Sequence, residues 1–347
     1  MKAIVLASLF VFIAAPAAAQ TGTLIVLNKS DHTAAFVDIP SLKVHATVPT
    51  GIAPHEVAVS PDGKTAVVAN YGTGPSPGNS LSVLDVGGAK KIRDIDLGEY
   101  RRPHGVAWLL ENVVIVTVEA NQSVILVDIG SGKIQRSIST GQRVSHMVVP
   151  SADRTKAFVA NIGSGTCTVL DLEQGTVIVH LETGAGAEGI DIAPNGKEVW
   201  VSNREANTVS VLDTESPSVL TTLKSAAFPI RVKFTPDGNH ALVSNARSGD
   251  VAVFDARKRK EVTRIPMEFS PVLEADKRLF GDQFGTSPVP VGILIEPTGK
   301  LGFVANTQAD VVTVIDLHSW KVIDRLVTGK EPDGMGFSQI VQAGKKP

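Results

Sequence analysis

Three histidines and a glutamate stand out by type and spacing. His55, His104, His146 and Glu188 follow one another at intervals of 49, 42 and 42 residues. His55 and His146 each lie fifteen residues before an asparagine, Asn70 and Asn161, that closes an apolar run. Arg231 (or its neighbour Ile230) and Asp333 continue the series further along the chain. Imidazoles with a carboxylate suit Zn²⁺, Cu²⁺ or Fe²⁺: the rings donate lone pairs without adding charge, and the carboxylate offsets part of the cation. In a catalytic reading His55, His104, His146 and Glu188 bind the metal. Glu188 or Asp333 then acts as a base, and Arg231 orients an anionic substrate. The same residues could instead line a ligand pocket or hydrogen-bond neighbouring backbone. Residues this far apart meet only if the chain is built from repeats.

The repeats are present. An apolar run ending in Asp recurs seven times, at Asp38, Asp85, Asp128, Asp171, Asp213, Asp255 and Asp316, mostly 42 to 47 residues apart. Ten residues before most of these, an Asn closes another apolar run, as at Asn161, Asn203, Asn245 and Asn306. Turn tetrapeptides such as Ser60-Pro61-Asp62-Gly63 and Thr235-Pro236-Asp237-Gly238 precede those runs. There Pro presets φ and Gly accepts positive φ. A fourth run follows each Asp and often ends in Thr-Gly. Four short strands per unit, A to D, repeated at about forty residues, predict blades of a β-propeller. The expected fold is therefore all-β: seven four-stranded antiparallel blades. The chain enters on a strand B (Leu24 to Asn28) and ends on an unpartnered strand A (Met335 to Ile340). The C-terminal strand A should complete the first blade and close the ring.

The unit TG…P…VAVSPDGK…VAN…TVSVLD resembles the YVTN-type repeat of YncE-like secreted β-propellers, a WD40-like architecture, and covers essentially the whole mature chain. FVAN, WVSN and LVSN stand where that family has its YVTN tetrapeptide. The resemblance implies a binding protein of the cell envelope that holds a small molecule, a metal or a partner protein at its funnel. A second resemblance, to gluconolactonase-like propellers and related lyases, implies the alternative of a metal-dependent hydrolase, lactonase or lyase. Nitrous oxide reductase, a third comparison, gathers propeller histidines round copper, but it carries a second copper domain with no counterpart here.

Asn at the end of strand B and Asp at the end of strand C recur in most units and are read as structural. Function is expected where units differ. Two are expanded: a B–C connection in blade 2, Tyr71 to Asn79, and a D–A connection before blade 7, roughly Met267 to Pro290. Strand alternation puts both on the D–A/B–C rim, the same rim as the histidine series. Loops of that length are commonly functional. Tyr71, Phe280 and Phe284 are assigned to ligand binding, the two phenylalanines as anchors of a lid.

Composition sets outer bounds. A net charge of −2 and a single basic run, Arg257 to Lys260, argue against a nucleic-acid partner. Lys2, the apolar run Ala3 to Ala15 and the small residues up to Ala19 read as a secretory signal over residues 1–19. A propeller over 20–340 and a disordered tail over 341–347 are expected to follow, in a periplasmic or secreted monomer without a membrane span. With one cysteine, Cys167, no intrachain disulfide can support the fold.

Overall fold

The computed structural model describes residues 21–341, except 40, 269–280 and 282. The expected signal segment, Phe280 and nearly all of the expected tail lie outside the described residues. The rest folds as seven four-stranded antiparallel sheets arranged as blades. Blade 2 illustrates the unit: strand A is Pro54–Val59, B is Thr65–Gly72, C is Pro77–Asp85 and D is Lys90–Asp96. Blades 3 to 7 begin their strands A at Pro103, Ser145, Ala187, Pro229 and Pro290. Blade 1 is composite. Its sheet runs from the C-terminal strand Pro332–Ser338 to Gly22–Asn28, Thr33–Ile39 and Lys43–Pro49.

Position in the blade explains the residue pattern of each strand. Strands B and C are covered on both faces by neighbouring blades, so they read as continuous apolar runs. Val113–Val118 in blade 3 is buried at every residue. Strand D lies outermost and alternates: in Thr176–Glu182 every second residue is exposed. The cores lie between blades. Val67, Leu81 and Val83 of blade 2 pack on Val114, Val116 and Ile125 of blade 3. Leu24, Val26 and Val37 of blade 1 pack on Phe303, Val312 and Val314 of blade 7. The ring is thus closed by a core contact as well as by the strand pairs Thr23 with Ser338 and Ile25 with Gly336.

The recurrent polar residues hold turns and blade corners. Asp128, Asp171, Asp213, Asp255 and Asp316 each accept a backbone N–H three residues on. Asn28, Asn70, Asn161, Asn203, Asn245 and Asn306 are buried. Asn161 Nδ2, for example, donates to Thr168 Oγ1 at 2.8 Å. The expansion in blade 2 is not a structureless loop. Strands B and C simply run on past Asn70, with Gly72 pairing with Pro77, to form a projecting hairpin.

Candidate functional site

Each strand A starts in the same way. Its first residue pairs with the residue that closes the apolar run of strand B, as Pro54 with Asn70 and Ser145 with Asn161. The register then shifts within the next residues in all seven blades. The second residue of the strand therefore sits in a β-bulge, which re-aims its side chain. The residue before the strand has a left-handed backbone every time: Ala53, Arg102, Val144, Gly186, Phe228, Val289 and Glu331 all have φ between 48° and 75°. Two are β-branched valines, for which this conformation is strained.

The bulge residues are His55, His104, His146, Glu188, Ile230, Val291 and Asp333, and all line one cavity at the funnel mouth, of about 260 Å³. Ile230, not Arg231, occupies the blade 6 position; Val291 fills the blade 7 gap. Arg231 sits one residue deeper, in a layer with Glu56 of blade 2. In that layer blades 3, 5, 7 and 1 carry Gly105, Gly189, Gly292 and Gly334. The inner strands crowd there: a Cβ on Gly189 would lie 2.2 Å from the Ile230 carbonyl oxygen. Arg231 Nη2 donates to Glu56 Oε1 from the far side of the ring. This pair lies beneath the mouth.

A further set of side chains comes from the residue just after the strand-B partner of each strand A's first residue. It supplies Tyr71, Glu119, Ile162 and Arg204 to the cavity wall. Lys29 holds the equivalent place in blade 1. Glu119 is the member the sequence reading passed over. Blade 3 closes its strand B with Val118 rather than Asn and follows it with Glu119, and that departure was the available signal.

The polar groups form one chain. The Tyr71 hydroxyl donates to Glu119 Oε2 at 2.6 Å, and His146 Nδ1 meets Glu119 Oε1 at 2.5 Å. His146 Nε2 lies 3.5 Å from Glu188 Oε1. Arg204 Nη1 donates to Glu188 Oε2 at 2.9 Å, and Arg231 Nη1 is 3.7 Å from Glu188 Oε1. The His104 and His146 rings are stacked with a 33° tilt and centroids 3.6 Å apart, and His55 approaches His104 edge-on at 5.0 Å. His55 Nδ1 is 2.8 Å from the Ala53 carbonyl oxygen, which accepts its proton and leaves Nε2 as the lone-pair atom.

Protonation follows from these contacts. Burial lowers His55 to about 4, with Asp333 opposing and Lys29 adding to the drop. Burial, reinforced by the charges on His146 and His55, holds His104 well below the usual imidazole value. His146 behaves oppositely: burial disfavours its charge, but hydrogen bonds to Glu119 and Glu188 carry it up to about 9. Burial would raise Glu188, yet His146 and Arg204 pull it down to about 2. Two neutral imidazoles and one imidazolium thus share the mouth at neutral pH.

His104, Glu119 and His146 are all buried and each offers a ligand atom within 4.8 Å of the others'. Of the four expected metal ligands, His104 and His146 come together in this way. His55 stands beside them, and Glu188 is committed to two arginines. Phe284 is buried away from the polar half, with its ring 4.8 Å from Phe228 and the Arg247 guanidinium over both rings. Two larger hollows, of about 640 and 780 Å³, lie on the opposite rim and are lined by turn residues such as Asp237, Gly299, Pro61 and Glu111. Neither gathers such a cluster.

The chain resembles proteins of known structure. It shares the fold of a chain of hydrazine synthase from Kuenenia stuttgartiensis, with a TM-score of 0.69 and 20% identity, covering 88% of this chain and 99% of that one. It also shares the fold of a functionally unknown protein from Desulfotomaculum acetoxidans DSM 771, with a TM-score of 0.75 and 13% identity, covering 91% and 99%. At these identities the likeness is one of fold alone. No curated protein sequence matches the chain. A family profile does match, over residues 82–272, more than half of the chain and a span that includes His104, Glu119, His146, Glu188 and Arg231. This seven-bladed propeller therefore belongs to the family described as the cytochrome D1 heme domain.

Proposed function

We propose that this is a periplasmic binding protein, of the YVTN-repeat (YncE-like) kind, that holds a divalent transition metal at its funnel mouth. His104, His146 and Glu119 would hold the ion, with His55 next to them. The observation that carries this reading is the buried convergence of three ligand atoms within 4.8 Å. A ligating imidazole must be neutral, which His104 already is, whereas His146, an imidazolium up to about 9, must give up its proton when the ion binds. The periplasmic placement rests on the N-terminal signal pattern. Among the described residues no helix is long and apolar enough to cross a membrane.

The family's description names a heme, and the described cavity does not fit one. Its volume of about 260 Å³ is below the roughly 300–1,000 Å³ usual for pockets that enclose drug-sized ligands. The His104 and His146 rings are also in contact, with centroids 3.6 Å apart, so no macrocycle can slide between them. A single ion fits this donor set. The hydrolase reading has less support. Glu188, held at about 2 between arginines, is a poor base near neutrality.

The test is metal titration of chelator-stripped protein with Zn²⁺, Cu²⁺ and Fe²⁺. One ion per chain is expected. Replacing His104 or Glu119 (His104→Ala, Glu119→Gln) should weaken it about a hundredfold, since even outer partners of a metal site are worth about 10–100-fold. Equal uptake by wild type and His104→Ala would overturn the reading.

A further inference from the structure

The projecting hairpin of blade 2 is fixed at several points. Strand B runs past Asn70 through Tyr71 to Gly72, which pairs with Pro77. The Tyr71 and Gly72 amides donate to the Ala53 and Ile52 carbonyls at 3.1 and 3.0 Å. Arg102, from the connection that leads into blade 3, ties the other side. Its amide donates to the Gly78 carbonyl at 2.8 Å, and its Nη2 reaches the Thr73 and Gly74 carbonyls, each at 3.4 Å. Its guanidinium also lies over the Tyr71 ring, 4.9 Å from the centroid.

This anchoring delivers one side chain to the mouth. The Tyr71 ring stands 4.5 Å from that of His55 and 5.6 Å from that of His104. Its hydroxyl donates to Glu119 Oε2 at 2.6 Å, a length characteristic of a hydrogen bond to an ionised oxygen. Glu119 Oε1 meets His146. The Glu119 amide in turn donates to the Arg102 carbonyl at 3.1 Å, so hairpin and carboxylate share one support. One oxygen of Glu119 therefore faces a histidine, and the other is held by a phenol.

How many oxygens a carboxylate offers bears on which ion it holds. Hard ions such as Ca²⁺ and Mn²⁺ favour carboxylate and water oxygens, and Ca²⁺ gathers roughly six to eight of them, often from bidentate carboxylates. Zn²⁺ is content with about four ligands and takes imidazole readily. We propose that Tyr71 is a positioning residue that sets the metal specificity of the mouth. By holding Oε2 it makes Glu119 a one-oxygen ligand. Two imidazoles and a single carboxylate oxygen then favour a borderline ion such as Zn²⁺ over the hard Mn²⁺. Without the hydroxyl, Oε2 is free to turn onto the ion as well. This deepens the metal reading and rests on it: it names the class of ion and gives the blade 2 expansion a role.

Calorimetric titration of the chelator-stripped full chain, wild type and Tyr71→Phe, with Zn²⁺ and Mn²⁺ tests this. The Phe ring keeps the packing against His55, His104 and Arg102, so the variant should melt near wild type. Its Zn²⁺ affinity should fall about 10–100-fold, as for other outer partners of a metal site. Mn²⁺ should bind as in wild type or more tightly, so the preference for Zn²⁺ over Mn²⁺ drops at least about tenfold. Loss of mere support for the fold would weaken both ions together and leave that ratio unchanged. Co²⁺ gives a second readout: its visible bands are intense at low coordination number and should fade in the variant as a further oxygen joins. Either an unchanged Zn²⁺-to-Mn²⁺ ratio or unchanged Co²⁺ bands would overturn this proposal and leave the metal reading standing. A wild type that takes up no ion would overturn both.

Discussion

At the scale of residues, the site is a balance of buried charges. Arg231 is the central cation. It donates to Glu56, faces Glu188 and feels Asp333. Burial pushes Glu56 upward and Arg231 pulls it back. Removing one partner of a buried pair leaves the other uncompensated, which costs about 3–5 kcal/mol. Arg231→Met should therefore lower unfolding free energy by about that amount in urea titrations. The double variant Glu56→Gln with Arg231→Met should recover most of it. If the double variant is no more stable than the single, Arg231 acts through packing rather than through Glu56. The sequence placed Arg231 among the ring residues, but a one-residue bulge separates Ile230 at the mouth from Arg231 beneath it. Nothing in the local sequence marks which of the two faces the funnel.

At the scale of elements, the turns are held by aspartates. Ser151 Oγ donates to Asp153 at 2.6 Å and the Thr155 amide donates at 3.1 Å. These bonds bring Asp153 from 3.8 down to about 2. Ser60 and the Lys64 amide lower Asp62 in the same way, and the Ser131 and Lys258 amides lower Asp128 and Asp255. A carboxyl with a depressed folded-state value stabilises fully above its ordinary value and loses that contribution as pH falls through the depressed one. Thermal melts should accordingly begin to fall below about pH 6.5, where the unfolded chain takes up protons that the buried His55 and His104 refuse, and the turn carboxylates should add a further fall between about pH 4 and 2. Because these carboxylates are exposed, each contributes little, and Asp153→Asn should flatten the acid limb only partly. An acid limb already complete at pH 4 would contradict the assignment. The turn tetrapeptides and strand-end aspartates were legible in the sequence because turn chemistry is local. The continuation of strands B and C past Asn70 was not, because Gly and Pro in that stretch read as a loop.

At the scale of the whole molecule, closure carries the fold. Strand Pro332–Ser338 gives blade 1 its inner strand and supplies Met335 and Phe337 to the core shared by blades 7 and 1. It also bears Asp333 and, in Gly334, a close contact with blade 2. Thr23 Oγ1 donates to the Ile340 carbonyl at 2.7 Å, and Ser338 Oγ to that of Gly63 at 2.7 Å. A chain cut after Gly329 would expose an open strand edge beside a run of buried aliphatics, an aggregation hazard. Such a truncation should be aggregated or lack a cooperative melt in size-exclusion and calorimetric measurements. A soluble truncated protein that melts as wild type does would show that closure is dispensable.

The repeat, the blade count and the complementary ends could be read from the chain alone, because each strand's burial is set by its place in its own blade and leaves a periodic mark. The same arithmetic put His55, His104, His146 and Glu188 at one rim. Tertiary structure decided the rest. Glu119 joins the histidines only because the residue after strand B of one blade leans against strand A of the next. Lys29, from the blade that closes the ring, lies close enough for its charge to act on His55 and His104, and Glu56 pairs with Arg231 from across the ring. Those partners lie 27 to 175 residues apart, and no periodicity records which side chains meet across a central axis.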